Sequence, residues 1–317
     1  MPRRDVELAP YTYIRIGGRA EVLWEVKSRE DLAHALADRL ERGIGECLVI
    51  GGGANLLIND ERSYPLVIKI ERQLGAIHEE GDRIVAEAGA YLSRLVRSAV
   101  AAGWGGFEML AGVPGTVGGA VVMNAGIPAF ETFDLVREVW GLDRQGREVR
   151  YRADELTPAY RHGGIPAGTV VTRVAFERRP GDPAAMARTA RKLKDERRAK
   201  QPLQLPSFGS TFRNPAPPEG AEADARGTVR SGWGTGAAGA LIERAGLKGA
   251  RRGDAQLSEM HANFVVNLGH ARARDVLELM ILARQTVAER FGVWLEPEVR
   301  LVGFSPAELA PLVEEAA

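Results

Sequence analysis

The chain predicts an α+β protein of two or more domains, and three observations carry that expectation. Strand and helix signals alternate through its first two-thirds. A proline-bounded stretch at 202–206 then interrupts them, and a second, smaller α+β set follows. The length, 317 residues, exceeds what one hydrophobic core usually serves.

Residues 20–26 predict a strand. Ser28 is placed to cap a helix over 29–42, with Leu32, Ala35, Leu36 and Leu40 on one face. Residues 48–50 form a short apolar strand that runs into Gly51-Gly52-Gly53. A strand at 66–70 and a hairpin at 76–88, turning at Gly81-Asp82, come next. An amphipathic helix covers 91–102, a second hairpin spans 136–151 with its turn near Gln145-Gly146, and 169–176 is another strand. Beyond the prolines, a helix is expected at 238–245, a strand at 263–267 and a long helix at 273–291, buried through Val276, Met280, Ala283 and Val287. A last strand carries 294–302. Residues 216–236, rich in Gly, Pro, Ala and charge, read as a mobile surface loop. No repeat has a fixed period.

Composition narrows the function. Hydrophobic residues are 45% and charged residues 26%, an ordinary globular balance. With 42 basic and 42 acidic side chains, no net field draws the chain to nucleic acid or anionic lipid. The basic helix at 186–200 carries interspersed acids and no aromatics, so it reads as a solvated face. The single Cys47 excludes an internal disulfide and reads as a small core residue; no Cys or His spacing offers a metal site. No apolar run is long enough to span a membrane, and Met1-Pro2-Arg3-Arg4-Asp5 lacks the apolar centre of a signal peptide. A cytoplasmic protein is the expectation, with a monomer as the default.

One octapeptide stands out for chemistry: Phe208-Gly209-Ser210-Thr211-Phe212-Arg213-Asn214-Pro215. It sets a hydroxyl on a glycine-preceded corner between aromatics, followed by a cation and an amide suited to an anionic, oxygen-rich ligand. No Gly-x-Ser-x-Gly elbow is present, and none of the five histidines lies near Ser210 in sequence. Such a serine can relay a proton to carbon; the alternative is a turn serine that caps backbone donors. Two glycine-rich segments add a second signal. Gly51-Gly52-Gly53-Ala54-Asn55-Leu56-Leu57 follows a strand, and Gly112-Val113-Pro114-Gly115-Thr116-Val117-Gly118-Gly119 precedes Asn124-Ala125-Gly126. Neither fits the dinucleotide fingerprint or the P-loop. Together they could clamp an extended diphosphate cofactor from two sides, and FAD suits such a clamp.

These segments, in this order, resemble the UDP-N-acetylenolpyruvoylglucosamine reductase family. Further matches are Tyr11-Thr12-Tyr13-Ile14-Arg15-Ile16-Gly17-Gly18, Ala245-Gly246-Leu247-Lys248-Gly249, Ser258-Glu259-Met260-His261-Ala262-Asn263-Phe264 and Leu295-Glu296-Pro297-Glu298-Val299-Arg300. The resemblance covers nearly the whole chain and is to the shorter form of the family. It implies an FAD-binding half of the vanillyl-alcohol-oxidase type, built from two α+β subdomains at 1–70 and 71–200. A smaller α+β substrate domain would occupy 201–317, and the strand at 294–303 would return to the FAD half. The chain departs from the family at Ala54, at Ile127-Pro128-Ala129 and at His162-Gly163-Gly164.

The resemblance also implies the chemistry. Noncovalent FAD takes a hydride from NADPH and passes it to the enolpyruvyl ether of UDP-N-acetylglucosamine enolpyruvate, giving UDP-N-acetylmuramate. Arg161 would grip the substrate carboxylate, Glu298 would assist the enolate-like charge, and Ser210 would deliver the proton. FAD contacts are expected from Gly51, Gly52, Gly53, Asn55, Leu56, Gly112, Pro114, Gly115, Thr116, Gly118, Gly119 and Asn124. Substrate contacts are expected from Tyr160, Lys200, Arg213 and Asn214, with His261 structural. Two other readings compete: a different FAD oxidoreductase of the same fold, and a silent UDP-sugar-binding protein.

Overall fold

The computed structural model describes residues 1–127, 129–215 and 236–313. The loop expected at 216–236 lies, apart from Gly236, outside the described residues. The chain divides into two compact units, one of residues 1–6, 20–52 and 63–197, the other of 7–19, 53–62 and 198–317. The boundary expected at 200 lies close to the break after Arg197, whereas position 70 lies inside the first unit.

The first unit holds two larger sheets and the short hairpin of Gly126–Ile127 and Phe130–Glu131. One runs in the order Arg3–Glu7, Arg19–Val26, Val67–Ile70, Leu48–Ile50, with Val67–Ile70 parallel to both of its longer-range partners. Helix Arg29–Glu41 starts where expected, because the Ser28 side chain accepts from the Asp31 amide. Its last turn departs from the simple apolar stripe. Leu40 is exposed and Arg39 points inward instead. The Arg39 guanidinium donates to the carbonyls of Ile44, Gly45 and Arg144, so hydrogen bonding to a chain reversal outweighs leucine burial there.

The second sheet is antiparallel, in the order Glu148–Arg152, Val136–Leu142, Val170–Glu177, Arg83–Glu87, Ile77–Glu80. Helices Leu92–Ala102, Val117–Val122 and most of Pro183–Lys200 also belong to the unit. The second helix is not foreshadowed locally, since Val-Gly-Gly-Ala-Val-Val is a poor helix sequence. Tertiary bonds hold its start: the Val117 amide donates to Ala90 and the Gly118 amide to Ala88. One apolar core serves both sheets, with Phe107 and Phe176 fully buried and edge-to-face at 5.6 Å.

The second unit has its own core. An antiparallel sheet runs Ser207–Ser210, Phe264–Asn267, Ala255–Leu257, Arg251–Arg252. Helix Ala273–Phe291 buries Val276, Met280, Ala283 and Val287, as its periodicity requires. The strand expected over 294–302 is regular only at Arg300–Val302, which runs parallel beside Leu56–Ile58. Before it, Pro297 makes a single antiparallel bridge to Phe212, flanked by bonds from the Arg213 amide to Glu296 and from the Glu298 amide to Thr211. Helix Pro306–Val313 closes the described chain.

Phe176→Ala should destabilise the first unit by about 3–5 kcal/mol, the usual cost of emptying a buried phenyl site. Denaturant unfolding followed by tryptophan fluorescence measures it; a loss below about 1 kcal/mol would mean that the aromatic pair is peripheral.

Candidate functional site

In the first unit the two glycine segments are pressed together. A Cβ on Gly51 would stand 2.7 Å from Thr116 Oγ1, and one on Gly52 would stand 2.7 Å from Gly115 Cα. A side chain on Gly51 would have to displace the Thr116 hydroxyl, and one on Gly52 the opposite backbone. Thr116, directly before helix Val117–Val122, is buried, and its hydroxyl has no hydrogen-bond partner among the described residues. Gly118 packs against Ala88, whereas Gly119 has only Thr116 Oγ1 near its missing side chain, at 3.7 Å. Pro114 and Gly115 form the turn between Val113 and this helix, and the Gly115 carbonyl accepts from Leu92. Over Gly112 lies Arg197, whose Cδ would be 2.8 Å from an added Cβ. Burial pulls the Arg197 pKa down. The helix whose charges read as a solvated face therefore also places one guanidinium against the second glycine segment.

The remaining members of the first segment belong to the second unit. Gly53 packs on Tyr11, and its carbonyl accepts from the Tyr13 amide. Asn55 Nδ2 donates to the Glu298 carbonyl, and Leu56 is paired with Arg300. Both residues thus fasten the segment that carries Glu298.

Arg161 occupies an unusual backbone position. Ala159 and His162 exchange two backbone hydrogen bonds, of 2.7 and 2.9 Å, so Tyr160 and Arg161 are the centre of a tight turn. Arg161 has φ +58°, at a turn position where glycine or asparagine is the unstrained choice. Its guanidinium lies 4.5 Å from the centre of the Tyr160 ring, with Nη2 3.5 Å from the Gly126 carbonyl and Nη1 3.6 Å from Glu131 Oε1. The departure His162-Gly163-Gly164 has a packing cause: a Cβ on Gly163 would overlap the Val121 carbonyl. Asn124, also at positive φ, spends its amide on Glu131 Oε2 at 2.7 Å, the Ala159 carbonyl and the Phe133 amide. It braces the Arg161 turn from within the protein.

In the second unit Ser210 ends a strand. Ser207 pairs with Val266 and Ser210 with Phe264, and the register shifts between them. That irregularity contains Gly209 at φ +87°, with nothing within 4 Å of where a Cβ would stand, so backbone conformation and not space demands glycine. The expected corner is therefore a bulge within a strand. After it, the chain is bracketed on both sides. Asn263 donates from Nδ2 to the Phe212 carbonyl and accepts the Phe212 amide on Oδ1, at 2.8 and 2.9 Å. On the other side the Glu298 amide donates to the Thr211 carbonyl at 2.8 Å, and the Arg213 amide donates to Glu296. Ser210 and Glu298 are thus brought to neighbouring backbone positions.

Among the expected substrate residues, Tyr160 and Lys200 are exposed. Arg213 pairs loosely with Glu296 at 3.6 Å, and its Nε is buried without a partner among the described residues. Asn214 Oδ1 accepts the Ala238 amide at the start of helix Ala238–Arg244. The His261 ring packs against that of Phe264, tilted, with centroids 4.9 Å apart, and burial pushes its pKa down, as suits a packing role. Half-buried Cys47 packs on the first unit's core, where burial pushes its thiol pKa up. Sequence reasoning passed over Glu131 and Arg197. An acid seven residues after Asn124 and one arginine of a charged helix carry no local mark that separates them from solvent-facing neighbours.

Two family models match the chain: an FAD binding domain over residues 20–152, and the UDP-N-acetylenolpyruvoylglucosamine reductase C-terminal domain over 201–302. A UDP-N-acetylenolpyruvoylglucosamine reductase of Anaeromyxobacter dehalogenans is 44% identical over 315 residues, covering 99% of this chain and 90% of that one. One from Synechococcus is 41% identical over 300 residues, covering 94% and 90%. The crystal structure of the reductase (MurB) from Thermus caldophilus superposes with a TM-score of 0.77 at 34% identity, covering 95% of this chain and all of that one.

Asn263→Ala would leave the buried Phe212 amide and carbonyl without partners. A stability loss of about 1–3 kcal/mol is expected, together with loosening of the Ser210 strand. Thermal unfolding and amide exchange at 210–213 test this; parental protection there would remove the bracket from the site.

Proposed function

We infer the chemistry from one premise: this chain belongs to the UDP-N-acetylenolpyruvoylglucosamine reductase family. It is an FAD-dependent oxidoreductase. Its reaction is the NADPH-dependent reduction of UDP-N-acetylglucosamine enolpyruvate to UDP-N-acetylmuramate in peptidoglycan precursor synthesis. One structural observation carries this to the level of residues. An arginine, Arg161, sits at a strained turn position that glycine would fill without cost, so its guanidinium has to be wanted there for what it binds.

The residues present fit FAD. Gly51 and Gly52 meet Gly115 and Thr116 with no room for side chains, beside a buried hydroxyl in want of a partner and the half-buried Arg197. A diphosphate supplies the acceptors that Thr116 and Arg197 need. We assign the hold on FAD to Gly51, Gly52, Gly115, Thr116, Gly119 and Arg197. When bound, FAD carries hydride equivalents between NADPH and the enol ether. The attachment is noncovalent in this reading, since Cys47 is taken up by the core.

The chain's own side chains handle charge and protons. Hydride addition at the terminal enol carbon pushes negative charge toward the substrate carboxylate. Arg161, with a planar fork of donors, is assigned to hold that carboxylate and stabilise the added charge. Ser210 is assigned to give its hydroxyl proton to the adjacent carbon; the Gly209 bulge lets a strand residue turn its side chain for that task. Glu298, fixed through its own amide to Thr211, is the acid assigned to the same developing oxyanion. Tyr160, Lys200, Arg213 and Asn214 are assigned to the UDP-sugar. Among the described residues no helix is long and apolar enough to cross a membrane. A cytoplasmic monomer completes the reading, to be checked by cell fractionation and light scattering.

The decisive experiment is anaerobic. NADPH should bleach the flavin absorbance, and the enolpyruvyl UDP-sugar should restore it; no bleaching would leave a silent binder. Steady-state kinetics should be ping-pong, because both ligands must bring a carbon to within about 3–3.5 Å of one reacting atom. Acid denaturation should release all flavin into the supernatant, and flavin retained on the chain would contradict noncovalent binding.

Ser210→Ala should keep the rate of flavin reduction by NADPH and slow reoxidation by the UDP-sugar at least about 10²–10⁴-fold, the range of a lost general acid. Ser210→Cys should recover part of the loss. Reoxidation of Ser210→Ala at the parental rate in stopped flow would make Ser210 a turn residue only.

A further inference from the structure

We propose that Glu131 is a positioning residue for Arg161, holding its guanidinium in the orientation that receives the substrate carboxylate. The inference rests on the reading of Arg161 given above. A tight turn fixes the Arg161 backbone but not the end of its long side chain, whose freedom is costly to lose on binding. The neighbours of the guanidinium include the Tyr160 ring, at 4.5 Å, the Gly126 carbonyl at 3.5 Å, and Glu131 Oε1 at 3.6 Å. Of these only Glu131 bears charge.

Glu131 is itself held in place. Its second oxygen accepts from Asn124 Nδ2 at 2.7 Å, and that same nitrogen donates to the Ala159 carbonyl in the Arg161 turn, at 3.2 Å. Asn124 Oδ1 accepts the Phe133 amide, two residues beyond Glu131. The links close a ring, from the turn backbone through Asn124 and Glu131 to the guanidinium. Glu131 lies on the short hairpin of Gly126–Ile127 and Phe130–Glu131, so the hairpin supplies both the carbonyl and the carboxylate that face Arg161. At 3.6 Å the ion pair is longer than the roughly 2.7–2.9 Å of a bidentate arginine–carboxylate pair. Burial raises the Glu131 pKa while Arg161 opposes the shift, in keeping with two groups that are partly desolvated together.

The test uses flavin-loaded Glu131→Ala, Glu131→Gln and Glu131→Asp proteins of parental flavin content. Two ligands are titrated, the enolpyruvyl UDP-sugar and UDP-N-acetylglucosamine, which lacks the carboxylate. Glu131→Ala should weaken binding of the first about 10–100-fold and of the second less than about twofold, the size of effect expected when a binding group is misplaced by about an ångström. Glu131→Gln, which keeps an acceptor for Asn124 but no charge, should fall between, and Glu131→Asp should recover part of the affinity. Parental affinity in Glu131→Ala, or equal losses for the two sugars, would overturn the proposal. Arg161→Lys is the control for the reading beneath it. If that variant shows the carboxylate-selective loss and the Glu131 variants do not, only the positioning role falls. If Arg161→Lys binds both sugars as the parent does, the role of Arg161 falls and the proposal with it.

Discussion

Backbone packed on backbone is the constraint from which the first unit is built. Gly51 and Gly52 meet Gly115 and Thr116 so closely that one added carbon on either glycine would have to displace main chain or a buried hydroxyl. That contact ties the end of strand Leu48–Ile50, in one sheet, to the start of helix Val117–Val122, which packs on the other. It explains how a helix of weak propensity forms at all. Its first amides are consumed by Ala88 and Ala90, so its N-terminus is set by tertiary bonds and not by a local cap. The same closeness buries the Thr116 hydroxyl without a hydrogen-bond partner among the described residues.

In the second unit the organising device is an amide side chain acting as a strand. Asn263 pairs with both polar groups of Phe212 and so replaces a ladder that the Gly209 bulge has put out of register. On the other side, Thr211 and Arg213 reach the 296–298 segment through two bonds around the Phe212–Pro297 bridge. Irregular pairing on both sides aims Ser210 and Glu298 differently from the strict alternation of a flat sheet. Strained positions gather in the first unit's candidate site as well. Asn124 and Arg161 both have positive φ, and they are joined through Ala159 and Glu131. Strain of this kind persists only where neighbouring bonds over-determine it.

Much of this was readable along the chain. Ser28 caps its helix, the hairpins turn at Gly81-Asp82 and near Gly146, and the stripe of helix Ala273–Phe291 is buried. The motifs holding Ser210, Arg161 and Glu298 were legible through resemblance, because a glycine-serine corner and a Glu-Pro-Glu segment are local strings. Residues whose meaning lies in a distant partner were not legible. Arg39 displaces Leu40 from the core because three carbonyls, one of them at Arg144, await a donor. Arg197, half-buried over Gly112, is told apart from the exposed cations of its helix only in the folded chain.

The sequence by itself determined the α+β class and the order of most elements, since these depend on short-range periodicity, capping and turn preference. Tertiary structure alone decided that 53–62 groups with the C-terminal unit, that the 294–302 strand is cut short, and that Glu131 faces Arg161. The physical reason is range. Propensity and pattern act over a few residues, whereas close backbone approach, buried hydrogen bonding and ion pairing are settled between groups that only the folded chain brings together.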